Sequence, residues 1–159
     1  MVERAVACFR GRDLERNRSF SDLVAYVAEL HGKPIHITTV DEDWGALTAV
    51  WVEFADQAHI LCRAAHTPLY RTHCVLHELA HMLLEHPGCN LLLQEHDLHE
   101  HTAGAGTVRG RMLATSSRGV PAIAHDEWQA IEGEAESLAH LLSTRVLFSA
   151  QMNDEDVFG

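Results

Sequence analysis

The chain has 159 residues, 47 % of them apolar, which suits one domain with one core. Twelve Lys plus Arg stand against 23 Asp plus Glu, a formal charge of −11. That balance excludes a broad nucleic-acid surface, which needs clustered cations to displace phosphate counterions, and no apolar run approaches the roughly 18–20 residues that cross a bilayer.

Arg10, Arg12, Arg16 and Arg18 cluster near the start, and residues 1–18 are expected to form a frayed, solvated N-terminal segment. Residues 1–7 carry early charges and lack the apolar stretch of an export signal. Cys8, Cys62, Cys74 and Cys89 form no CxxC pair, so free thiols in a reducing cytoplasm are expected. Ser19 or Ser21 caps a helix running to about His31, with Leu23, Val24, Val27 and Leu30 as its apolar stripe and Gly32 and Pro34 as its stop. Ile35, Ile37 and Val40 alternate with polar residues as in a short strand, and residues 41–45 form an acidic turn. Residues 47–54 and 59–63, rich in β-branched and aromatic types, predict an antiparallel hairpin or meander. Pro68 opens a helical pattern from about Leu69 to Glu85 that Pro87 and Gly88 terminate. Periodicity then disappears over residues 94–123, where Gly104, Gly106, Gly110, Gly119 and Pro121 predict a mobile loop. A last helix is expected from Asp126 to about Phe148, followed by an acidic, frayed tail over residues 149–159. The order implies one α+β domain over residues 19–148: an antiparallel three-stranded sheet with helices on one face.

Histidine is the compositional anomaly, with 13 copies, and two of them form His77-Glu78-Leu79-Ala80-His81, an HExxH motif. Residues four apart share a helical face, so two imidazoles can hold one tetrahedral zinc while the glutamate beside the first acts as general base. A chain this rich in His and Glu produces the bare motif by chance more readily than an average one, so its context decides. On a wheel with His77 at zero, His81 falls at about 40° and Glu78 at about 100°, while Val75, Leu79, Met82 and Leu83 lie opposite and face a core. A third ligand is sought on the last helix, whose apolar face is Ile131, Ala135, Leu138, Ala139, Leu142 and Val146. Glu134 and Glu132 lie about 75° and 85° from the centre of that stripe, with Glu136 further round. Glu134 is therefore favoured and Glu132 second. A solvated helix face is the bland alternative for both helices.

Other positions carry less. His86 extends the motif to HExxHxxxxH but falls about 180° from His77, on the wrong side. His96, His99 and His101 form a His/Asp/Glu cluster that reads as a solvated loop. Tyr70, His125 and His140 each bear a side chain able to polarise a substrate carbonyl. An edge strand such as residues 58–63 could take an extended peptide by strand addition.

The segment HELAHMLLEH, followed on a later helix by EGEAESLAHLL, resembles the ImmA/IrrE-type metallopeptidases over roughly residues 20–148. The resemblance implies a zincin-like domain in which His77, His81 and Glu134 bind zinc and Glu78 is catalytic. It also implies a cytoplasmic metalloendopeptidase that cleaves or inactivates a helix-turn-helix repressor, without touching nucleic acid or membrane itself. Some members are instead toxin-like components of paired operons, and a non-hydrolytic zinc-containing binding module is the main rival. The chain departs from the family pattern at Glu136, often Asn or Asp there, and at Thr144-Arg145-Val146-Leu147, often a Leu-Met-Pro-like segment. It would be a minimal, single-domain member.

Overall fold

The computed structural model describes residues 2–16, 18–41, 47–86, 107–112 and 122–158. In chain order these form α1 (Val2–Gly11), α2 (Phe20–His31), β1 (Ile35–Val40), β2 (Leu47–Glu53), β3 (Ala58–Arg63), α3 (Pro68–Leu83), β4 (Thr107–Met112) and α4 (Ala122–Phe158). The class is α+β. The cluster at His96, His99 and His101 lies outside the described residues, as does Cys89.

Local signals explain the helix starts. Ser19 caps α2 by accepting the Asp22 backbone N–H at 3.1 Å. Thr67 does the same for α3 toward Tyr70 at 3.4 Å, with Pro68 in the first turn, where no intrahelical N–H is needed.

The sheet runs β1-β3-β2-β4. β2 and β3 pair antiparallel as expected, but β1 lies parallel to β3, with Ile35 opposite Ala58, and β4 pairs antiparallel with the other side of β2. The antiparallel three-stranded expectation is thereby corrected to a mixed four-stranded sheet. Burial gives the reason: β2 is buried at six successive positions, as suits a strand covered on both faces and flanked on both edges, whereas His36–Thr39 of β1 are exposed, as suits an edge. β3 is an interior strand, so it cannot accept an added one. β4 and the first residues of α4, Ala122 and Ile123, fall inside the span 94–123 expected to be loop; residues 94–106 and 113–121 lie outside the described residues.

The described part of the N-terminal segment is packed rather than frayed. Ala5 and Phe9, four apart, bury the inner face of α1 at 0 % and 6 % exposure, and Leu14 follows at 1 %. α1 packs on α4, which starts before Asp126 and continues through the expected tail to Phe158. On the helix side of the sheet, Ala49, Trp51, Ala58, Ile60 and Cys62 meet Leu23 and Val27 of α2, Leu76 and Leu79 of α3, and Ala135, Leu138, Ala139 and Leu142 of α4. Val40, Leu47, Val50, Val52 and Leu61 form a second cluster on the opposite face. Alanines at 80, 135 and 139, all fully buried, let α3 and α4 approach closely, and this sets up the site.

Candidate metal centre

α3 presents His73, His77 and His81 at intervals of four, and α4 answers with Glu132 and Glu136 at the same interval. The two helices meet antiparallel as a ladder. His73 Nε2 lies 3.2 Å from Glu136 Oε1, and His77 Nδ1 lies 3.0 Å from Glu136 Oε2. His77 Nε2 lies 3.2 Å from Glu132 Oε2, and His81 Nε2 is 3.4 Å from Glu132 Oε1. The two Nε2 atoms face each other at 3.0 Å. His77, His81 and Glu132 thus form a buried group that could hold a metal ion.

A carboxylate only accepts, so the His77 ring donates to Glu136 through Nδ1 and faces Glu132 through Nε2, the nitrogen whose proton an ion would displace. Burial raises the Glu132 carboxyl, but hydrogen bonds and positive charge from His77 and His81 outweigh it and bring the pKa down to about 2. It is an anion at any physiological pH.

Glu134, the expected third ligand, is not in this group. Its Oε2 accepts from Arg4 Nη1 at 2.8 Å and lies 3.2 Å from His86 Nε2. The placement of Glu132 rather than Glu134 beside the histidines has a simple cause. Residues 132 and 134 are about 200° apart on a helix, so they occupy opposite flanks of the apolar stripe at similar distances from its centre. Only the hand of the α3–α4 packing decides which flank faces the histidines, and that is not a local property of the sequence. A signal for Glu132 was present: Glu132 and Glu136 repeat at the spacing of the histidines.

His86 is also nearer the centre than helix phase implies. α3 ends in a Schellman turn, with the His86 N–H on the His81 carbonyl at 3.1 Å, the Glu85 N–H on Met82 at 3.1 Å, and Glu85 left-handed at φ 55°. The turn folds His86 back so that its Nδ1 lies 3.0 Å from His81 Nδ1. Burial is the main cause that pushes the His86 pKa below its ordinary value.

Glu78 follows His77 on α3 and is 1 % exposed, which rules out a solvated helix face. Tyr70 and His73 line a groove of about 340 Å³ at the N-terminal end of the ladder, with Leu69, Leu76, Val146 and Leu147. His140 is exposed on α4, and the side chain of His125 lies outside the described residues. Among the described residues no helix is long and apolar enough to cross a membrane.

Comparison of the chain with protein-family models, with curated proteins and with solved structures gives no match.

Proposed function

We propose that the chain is a zinc-dependent metalloendopeptidase of the ImmA/IrrE type, acting on a protein partner of the helix-turn-helix repressor class. The observation that carries the proposal is the buried triangle of His77 Nε2, His81 Nε2 and Glu132, with separations of 3.0, 3.2 and 3.4 Å. A tetrahedral zinc with bonds of about 2.0–2.1 Å spaces its ligand atoms by about 3.3 Å, so the donor set fits this ion in size and chemistry. Zinc held by His77, His81 and Glu132 would supply Lewis-acid chemistry, polarising a carbonyl and activating water for attack.

The chain's own groups supply the rest. His77 and His81 present fixed lone pairs, oriented from behind by Glu136 and His86, and Glu132 contributes the negative charge. Glu78 takes the proton of the attacking water on its carboxylate and returns it to the leaving amine. The substrate class rests on the resemblance of HELAHMLLEH and EGEAESLAHLL, and a chain of net charge −11 complements a basic DNA-binding partner. The free thiols Cys8, Cys62 and Cys74 support a cytoplasmic location.

The near-complete burial of Glu78 favours a second reading, in which the metal shapes a non-hydrolytic binding module or a toxin-like partner of a repressor. Coexpression with a helix-turn-helix repressor from the same genome separates them. Glu78→Gln should keep zinc and partner binding while cleavage falls by about 10²–10⁴-fold, the usual contribution of a general base. Equal biological activity of wild type and Glu78→Gln, with no cleaved product from either, would leave the binding module.

A further inference from the structure

α1 supplies no metal ligand, yet an unbroken chain of contacts joins it to the centre. Arg4 Nη1 donates to Glu134 Oε2 at 2.8 Å, and its Nη2 donates to the Leu84 carbonyl at 2.8 Å, on the turn that carries His86. Glu134 Oε2 lies 3.2 Å from His86 Nε2, and His86 Nδ1 lies 3.0 Å from His81 Nδ1. The direction of every donor follows. Glu134 can only accept, so the His86 proton sits on Nε2; its Nδ1 then accepts from His81 Nδ1–H. That leaves the His81 Nε2 lone pair aimed at His77 and Glu132, the orientation a ligand requires.

We propose that Arg4, Glu134 and His86 are positioning residues for the ligand His81, so that docking of α1 sets the affinity of the centre for its ion. The proposal rests on the metal reading of the His77–His81–Glu132 group. Two further observations support it. His86 is only 2 % exposed although it is polar, and it fills a place where an apolar side chain would avoid the desolvation cost. Its turn is also held from the same arm of the chain, because Arg12, just past α1, donates to Glu85 Oε1 at 2.9 Å. α1 therefore grips both the ring and the turn that carries it. By linkage, an ion that tightens the centre also tightens the docking of α1.

The experiment titrates the purified full chain with cobalt(II) and with zinc, in competition with a chromophoric chelator. The visible cobalt spectrum reports the donor set independently of any peptidase assay. His86→Leu and Glu134→Ala should weaken binding by about 10–100-fold while keeping one ion per chain and the wild-type band shape, as expected for an outer partner. His86→Gln should restore most of the affinity, since its amide oxygen accepts from His81 and its NH₂ donates to Glu134. Arg4 is half exposed, so Arg4→Met tests the relay even if His86→Leu does not fold, and it should bind several-fold more weakly than wild type. Unchanged affinity in Arg4→Met and Glu134→Ala, with only thermal stability lowered, would make the network merely structural. Loss of stoichiometric cobalt and a changed spectrum in Glu134→Ala, matching Glu132→Ala, would make Glu134 a ligand and overturn the relay. A wild-type chain that binds neither ion would remove the metal reading itself, whereas binding with unaffected variants removes only the relay.

Discussion

Glu53 and Glu132 are nearly equal in exposure, at 15 % and 16 % of the side chain, and both face histidine, yet they do different work. Around Glu53 every partner is a donor: Lys33 Nζ, His31 Nε2 at 3.0 Å, and Trp51 Nε1 at 2.8 Å. Lys33 is a permanent cation, and the group is an ion pair that ties the end of α2 to the end of β2. Glu132 instead faces two imidazole nitrogens that also face each other. Neither is a permanent cation, and each can offer a lone pair. The Glu53 carboxylate is thus held by a permanent cation and N–H donors, whereas Glu132 faces two imidazoles whose nitrogens could instead offer lone pairs to an ion. Histidine count does not separate the two; the presence of lysine does.

The largest expected effect breaks this comparison at the ligand. Glu132→Gln should lower cobalt and zinc affinity by more than the roughly 100-fold an outer partner can cost, because an anionic ligand is removed. Glu53→Gln should leave metal affinity unchanged but lower stability by about 1.5–3 kcal/mol, the value of a hydrogen bond to a charged group. In a chain of this size that corresponds to a melting-temperature loss of about 3–12 °C. Equal metal loss in both variants would show that the regions are not separable.

Acid sharpens the contrast. Burial pushes the Glu53 carboxyl up, but the hydrogen bonds and charges of Lys33 and His31 outweigh it, so its folded pKa lies below the ordinary 4.5. A carboxyl with a depressed folded pKa stabilises fully above its unfolded value and loses that contribution as pH falls through the folded one. The stability gap between wild type and Glu53→Gln should therefore narrow as pH falls below about 4.5. A gap that does not narrow below about pH 4.5 would mean that the carboxylate's charge is not what the neighbouring Lys33 and His31 stabilise.

How far the site could be read from sequence depends on the range of the interaction. His77, Glu78 and His81 follow from one helical turn, and α2 with its Ser19 cap and Gly32 stop follows from local chemistry. Long-range choices were hidden. The parallel pairing of β1 with β3 depends on which edge a polar strand joins, and the choice of Glu132 over Glu134 depends on the hand of helix packing. β4 was concealed because Arg109, Gly110 and Arg111 interrupt any apolar alternation. α1 was obscured by its arginines, although Ala5 and Phe9 carried the helical spacing that buries it. His73 was missed because it lies one turn beyond the residues that drew attention. Glu136 was weighed but placed behind Glu134 and Glu132 because it lies further round the helix from the apolar stripe.

The smallest effect compares the turns that deliver the two regions. α2 and α3 end in the same hydrogen-bond pattern: Lys33 N–H on the Ala28 carbonyl and Gly32 N–H on Glu29 in one, His86 N–H on His81 and Glu85 N–H on Met82 in the other. The left-handed position holds glycine at φ 79° beside Lys33, but glutamate at φ 55° beside His86. A Cβ on Gly32 would meet nothing within 4 Å, so Gly32→Ala isolates the backbone penalty, which is about 1 kcal/mol. Glu85→Gly relieves a penalty of that kind. It also frees the unfolded chain, by roughly 0.5–1 kcal/mol, and loses an exposed pair with Arg12 that is worth about 0–1 kcal/mol. The gain and the losses nearly cancel, so stability should change by less than about 1 kcal/mol. Thermal unfolding of the two variants without added metal measures both. A Glu85→Gly loss larger than that of Gly32→Ala would show that the strained glutamate is held by more than the Arg12 pair, and that the turn beneath His86 is built differently from the one beneath Lys33.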